Sequence, residues 1–376
     1  MTVEIDAGGG VPPSLYAKII HCKPDWTPSD NIFISDIATS RTTNIEWYSS
    51  ASSSKLFRWR GRLKVPNEQL KFKYSGNWKI SFYDLYGDES APLAEARVFV
   101  VEPWVSVRMN LYTQMYDAAF RVSSTAFSVE ALASTERSIL ETQLNTAVFY
   151  RNHRWFEPIV ITQNSSLKTY DSLYRYPIEG SVSGFSGVEK RFIATPVPAE
   201  NVYRQLDLTD LGYWPRTETP IRMPFSDLRR NGSYLQDDYD GAIITRNVYG
   251  SMDDYVPVEF ALDPEGRPSR DDVFILGSFN GWQPSPRWQM YYDAEQRLYS
   301  LRQYVRRGLH GYLYATGKYN VDTQRFEKYS TDEFEGNTAY SNHTYICFIY
   351  YRELVAGGFD RLVGVGAGNT FGNMIR

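Results

Sequence analysis

Cysteine is nearly missing from this chain: Cys22 and Cys347 are the two in 376 residues. That excludes a disulfide framework and a Cys-rich zinc module, so an apolar core has to hold the fold. Two separate buried thiols are expected, with a single bridge left open. Histidine is scarce too. His21, His153, His310 and His343 form neither an H-E-x-x-H element nor an i,i+4 pair, and no metal site is expected. No apolar run reaches 18 residues, so no membrane-spanning helix and no direct membrane insertion are expected. The net charge of -4 lacks the basic excess of a protein that binds nucleic acid by neutralising phosphates. A nucleophile elbow, a phosphate-binding P-loop and a C-x-x-C pair are all absent. No catalytic residue and no cofactor is expected, and the chain reads as a non-enzyme.

The start Met1-Thr2-Val3-Glu4 has neither a basic head nor an apolar segment, so no signal peptide is expected there. The chain is then either cytosolic or a mature form with an added methionine.

What is abundant is aromatic: 29 Tyr, 20 Phe and 9 Trp, with arginine outnumbering lysine 29 to 11. Tyr, Trp and Arg favour contact surfaces, while aromatic residues in general suit pleated, half-buried sheets. Turn residues recur every 8 to 15 positions and helical periodicity is rare. Leu15–Cys22, 44–48, 56–65, 78–85 and 96–101 read as strands; Pro103 closes this first block. In the second block 105–110, 119–122, 127–131, 146–151 and 159–163 read as strands, and 134–145 reads as a short helix or a loop. Between Tyr170 and Tyr234 six prolines interrupt the pattern. Tyr174, Arg175, Tyr176, Tyr203, Arg204, Trp214 and Arg216 of this stretch are the candidate partner-binding residues, because hot spots draw on such side chains. The alternative, that the rings pin the loop to a sandwich, stays open. Asp237–Gly241 resembles a calcium loop, but that register puts Gln236 first and Asn247 last, without the bidentate Glu.

The third block alternates with period two from Tyr255 to Leu262, and strands follow at 272–277, 297–304, 311–315, 345–351 and 359–364. Val363–Gly368 lacks the G-x-G-x-x-G spacing and reads as a flexible Gly-rich tail. The turn Gly277-Ser278-Phe279-Asn280-Gly281-Trp282 resembles that of early-set modules in glycogen- and starch-binding domains. In those modules a second exposed Trp completes the sugar-stacking pair, and here Tyr319-Asn320 stands in its place. Asn280, Gly281 and Trp282 are therefore expected to form a structural turn, and a glycan-binding sandwich protein is the alternative function. The expected fold is all-β, a series of antiparallel immunoglobulin-like β-sandwich domains over 1–103, 104–245 and 246–376, the last similar to an early-set module.

A set of ordered landmarks spans about residues 14 to 365. Ile20-His21-Cys22-Lys23-Pro24-Asp25-Trp26-Thr27-Pro28-Ser29 leads. Val65-Pro66-Asn67, Ser75-Gly76-Asn77-Trp78, Arg97–Glu102, Ile161–Asn164, Asp238–Gly241, Phe334–Thr338, Tyr345–Arg352 and Phe359–Gly364 follow. Together they resemble the type IX secretion system plug family of Bacteroidota-type bacteria. The run Gly187–Phe192 departs from the family's N-x-F-R-x-F-D element. The resemblance implies a periplasmic protein, peripheral to the outer membrane, that binds the giant translocon β-barrel and blocks its pore when no cargo is inside.

Overall fold

A computed structural model describes residues 1–29, 31–34, 39–52, 54–113, 126–135, 143–167, 174–175, 177–184, 189–210, 212–214, 221–222, 225–230, 243–244, 246–322, 325–339 and 341–370. Residues 119–122, most of 134–145, and 231–242 with the calcium-like loop lie outside them.

The first sandwich pairs a sheet of β1 (Thr2–Ala7), β4 (Glu46–Ser49) and β5 (Trp59–Lys64) with one of β2 (Leu15–Cys22), β3 (Arg41–Thr42), β6 (Gly76–Asp84) and β7 (Ala94–Val100). Successive side chains of a strand face opposite ways. Leu15, Ala17 and Ile19 of β2 and Trp78, Ile80 and Phe82 of β6 therefore line one core.

The second sandwich sets β8 (Ser106–Thr113), β9 (Ala126–Ser134), β12 (Glu179–Ser183) and β13 (Glu189–Pro198) against β10 (Leu144–Arg151) and β11 (Ile159–Thr162). The third runs from β14 (Arg204–Asp207), through β15 (Ile221–Arg222), β16 (Asp227–Leu228), β17 (Tyr255–Asp263), β18 (Asp272–Gly277), β19 (Tyr291–Asp293), β20 (Leu298–Arg306) and β21 (Leu309–Asn320), to β22 (Arg325–Ser330). After the short helix α1 (Asp332–Glu335) the chain returns as β23 (Thr344–Glu353) and β24 (Phe359–Asn369), which complete the sheet β11-β10-β23-β24 of the second sandwich.

The all-β sandwich reading holds, but the sheets cut across the contiguous segments 104–245 and 246–376. The third sandwich is inserted between β13 and β23 of the second, and β14, from the middle segment, pairs with β21. Strand periodicity cannot reveal this, because it says which face is buried and not which neighbour buries it.

The Gly-rich tail is also corrected, since it is strand. Gly364, Gly366 and Gly368 share one face of β24, and a Cβ on Gly366 would lie 2.7 Å from the Val107 side chain and 2.8 Å from its carbonyl. Those glycines let β8 come close; they do not loosen the chain.

Both faces of two sheets are covered. On β10 and β23, Ala147, Phe149, Cys347 and Ile349 face the second core, while Val148, Tyr150, Phe348 and Tyr350 face the first sandwich. On β18 and β21, Val273, Ile275, Tyr312 and Tyr314 face the third core. Phe274, Leu276, Leu313 and Ala315 of the same strands pack in a separate cluster with Trp282 and Tyr203. Runs such as Tyr345–Tyr351 are apolar on both faces because each face meets a different neighbour.

Candidate functional site

The charged and aromatic residues concentrate where the sandwiches meet. The first and second are joined through the leading landmark. Cys22 bridges to Pro28, and Asp25 Oδ1 accepts from the backbone N–H and the hydroxyl of Thr27, which closes the loop around Trp26. Trp26 Nε1 then donates to Tyr150 Oη at 2.8 Å. The Tyr350 hydroxyl donates to Asn77 Oδ1 at 2.7 Å, and Phe99 stacks on Phe348 with centroids 4.3 Å apart. Arg97 lies over both Trp26 and Phe156 and donates to the Trp155 carbonyl. His21 sits edge-on to Trp78 and Phe359. Burial pushes its imidazole down to about 4, and among the described residues neither ring nitrogen has a partner of good geometry. Gly76 makes room for it: with φ at +139°, a Cβ there would fall 2.4 Å from His21 Nε2.

The second and third sandwiches are linked by two chain crossings, 199–203 outward and 331–343 back, and a buried ion cluster lies between them. Arg151 ends the inward face of β10, and Asn152 and His153, both at positive φ, turn the chain so that Arg154 points the same way. Arg154 is fully buried, and its guanidinium donates to both oxygens of Glu200 at 3.0 and 2.6 Å. It also donates to Tyr203 Oη at 2.9 Å and lies 4.0 Å from the Trp282 ring centroid. Arg151 reaches Glu200 at 2.9 Å, and Glu157 lies 3.5 Å from Arg154. The two cations and two carboxylates balance. Burial raises the Glu200 carboxyl, but Arg151 and Arg154 outweigh it and hold it below the usual range. Glu157, farther from both guanidiniums, stays raised by burial.

The first and third sandwiches touch through polar contacts. Ser54 donates to Asp254 at 2.9 Å, Tyr255 to Asp6 at 3.0 Å and Arg306 to Glu4 at 3.1 Å, while Arg60 bridges Asp6 and Asp253. Every pair of sandwiches is thus in contact.

The residues read from the sequence as a partner surface are for the most part used internally. Tyr174, Tyr203 and Trp214 are buried, and the Trp214 carbonyl accepts from buried Arg307. Arg204 is buried against Glu335 at 2.8 Å and Asp227 at 3.1 Å. Arg175 is partly exposed and binds Asp271 at 3.0 Å. Tyr176 and Arg216 lie outside the described residues. These rings and guanidiniums were expected to be surplus to the cores, yet the inserted third sandwich and its crossings bury them.

Asn280 closes its turn by donating to the Ile275 carbonyl and accepting from the Gly277 N–H, both at 2.9 Å. Gly281 and Trp282 follow at φ of 63° and 60°, and the indole is buried between Arg154 and Tyr203. Cys22 and Cys347 are buried free thiols. Among the described residues no group of three or more His, Cys, Asp or Glu is placed to hold a metal.

Sequence reading missed the ion cluster. Its one signal was the dense Arg151-Asn152-His153-Arg154-Trp155-Phe156-Glu157 run directly after an apolar strand.

Residues 1–102, the whole first sandwich, match the family model described as the type 9 secretion system plug protein 1st domain. This match supports the type IX secretion plug family for the first domain. That is a secretion family and not an enzyme family, and it supports a role associated with type IX secretion. No curated protein matches the chain. Among solved structures, a hypothetical protein from Parabacteroides merdae is similar over 98% of this chain and 90% of its own, with a TM-score of 0.76 and 20% identity. That likeness extends the shared fold across all three sandwiches. Within the matched first domain, the landmarks Ile20–Ser29 and Ser75–Trp78 carry Trp26 and Asn77, residues that fasten this sandwich to the second.

Proposed function

We propose that this chain is a non-enzymatic plug: a periplasmic protein that binds the periplasmic end of the type IX translocon barrel and seals its pore when no cargo is present. The observation that carries this reading is the match of residues 1–102 to the plug family. The architecture supports it physically. A seal has to resist deformation, and three sandwiches in mutual contact, two of them tied by a double crossing and a buried ion cluster, leave no single hinge about which to open.

The contact surface we propose differs from the Tyr170–Tyr234 stretch. Asn31 Nδ2 donates to the Ala356 and Gly358 carbonyls at 2.7 and 3.1 Å, which holds a first-sandwich loop against the β23–β24 hairpin. This leaves Ile32, Phe33, Leu354 and Val355 each more than 60% exposed, side by side on two loops. Adjacent exposed apolar side chains mark interaction sites. The test is capture from native outer membranes by wild type and by Phe33→Asp/Leu354→Asp. Wild type should retain the barrel and the folded variant should lose it. Failure of the wild type to capture any barrel refutes the plug reading; equal capture by the variant removes only this surface.

A further inference from the structure

The outer face of the sheet formed by β17, β19 and β20 carries a groove of about 620 Å³. That lies within the size range of small-ligand sites. Its lining differs from the junctions just described, because several of its polar side chains have no partner among the described residues. Tyr291 projects from edge strand β19, 74% exposed as a residue and with no ring or hydrogen-bond contact among the described residues. The side chains of Gln296 and Ser300 are likewise without partners there. Arg302 gives its Nε to Glu259, at 3.0 Å, and its terminal nitrogens have no partner among the described residues. Asp293 accepts the Glu295 and Gln296 N–H groups through one oxygen. Glu259 and Arg302 cancel, so the groove keeps one net negative charge and disfavours an anion.

We infer that this groove is a binding site for a neutral, hydroxyl-rich ligand, a saccharide segment. An exposed ring beside the groove offers an apolar face to a pyranose, whose C–H faces are apolar while its rim is polar. Free amide, hydroxyl and guanidinium groups, with carboxylate acceptors beside them, supply the two-way hydrogen bonding that hydroxyls require. The site is distinct from the early-set turn, whose Trp282 is buried and offers no stacking face. It stands apart from the plug reading, since neither requires the other.

The experiment is titration of the purified chain with maltoheptaose, cellohexaose and chitohexaose, followed by calorimetry and by Tyr fluorescence. At least one should bind saturably, and Tyr291→Ala should weaken it by about tenfold or more. Because Tyr291 is largely exposed, that variant should melt like wild type, which separates lost binding from lost folding. Absence of saturable binding to all three probes overturns the assignment. So does binding that Tyr291→Ala leaves intact. If Tyr291→Ala instead loses capture of the barrel while no saccharide binds, the groove is a protein contact and the saccharide reading falls.

Discussion

Removing Arg154 tests whether the ion cluster holds the second and third sandwiches together. Its side chain is fully buried, shares two hydrogen bonds with Glu200, and covers the Trp282 ring. Arg154→Met keeps much of the volume and deletes the charge. Glu200 would then keep Arg151 at 2.9 Å, but the cluster would hold one cation against two buried carboxylates. Breaking one side of a buried pair costs about 3–5 kcal/mol, most of it from the carboxylate left behind. Glu200→Gln in the same chain restores the balance between Arg151 and Glu157. The double variant should therefore lose at least about 2 kcal/mol less than the sum of the single losses, within the coupling expected for groups in one network. Urea unfolding of the four proteins, with the transition slopes compared, gives the cycle. A loss below about 1 kcal/mol for Arg154→Met, or strict additivity, would refute the view that this cluster fixes the junction.

Trp282→Ala should cost about 3–5 kcal/mol, because a fully buried indole leaves a cavity; thermal melting checks it, and a shift of a degree or less would contradict the packing described. Gly76→Ala should destabilise by about 1–3 kcal/mol from its positive φ alone, with the clash against His21 added, and denaturant melts of Gly76→Ala in a His21→Ala background should show part of the loss relieved. The His21 imidazole is held down to about 4 by burial, against an ordinary value of 6.5. The unfolded chain therefore takes a proton between pH 6.5 and 4 that the folded chain does not, and stability falls as pH drops through that window. Relative to His21→Phe, wild type should lose about 2 kcal/mol between pH 7 and 5; parallel pH profiles for the two proteins would show that His21 does not titrate in this way.

The sequence made some of this architecture legible and hid the rest for definite reasons. Leu15–Cys22, read as a strand, and the alternating run Tyr255–Leu262 are both strands that the structure contains. Trp26 and Asn77 belonged to ordered landmarks, and the structure gives them a junction to hold. The insertion of one sandwich into another was not legible. Tyr345–Tyr351 reads as a buried strand wherever it pairs, and pairing with β10 is a long-range choice that leaves no periodic trace. The same blindness misassigned Tyr203, Arg204 and Trp214. Surplus rings and guanidiniums in an irregular stretch look like a contact surface, and only the fold shows that the surface they meet belongs to this chain. The ion cluster was hidden likewise, since Glu200 is separated from Arg151, Arg154 and Glu157 by a whole hairpin and more.

The most direct test of the plug reading is the electrical conductance of the translocon barrel in planar bilayers, freed of this chain and then titrated with it. Stoichiometric addition should close an open, ion-conducting pore, and Phe33→Asp/Leu354→Asp should close it only at higher concentration. A pore that conducts unchanged in the presence of saturating wild-type chain would contradict the account.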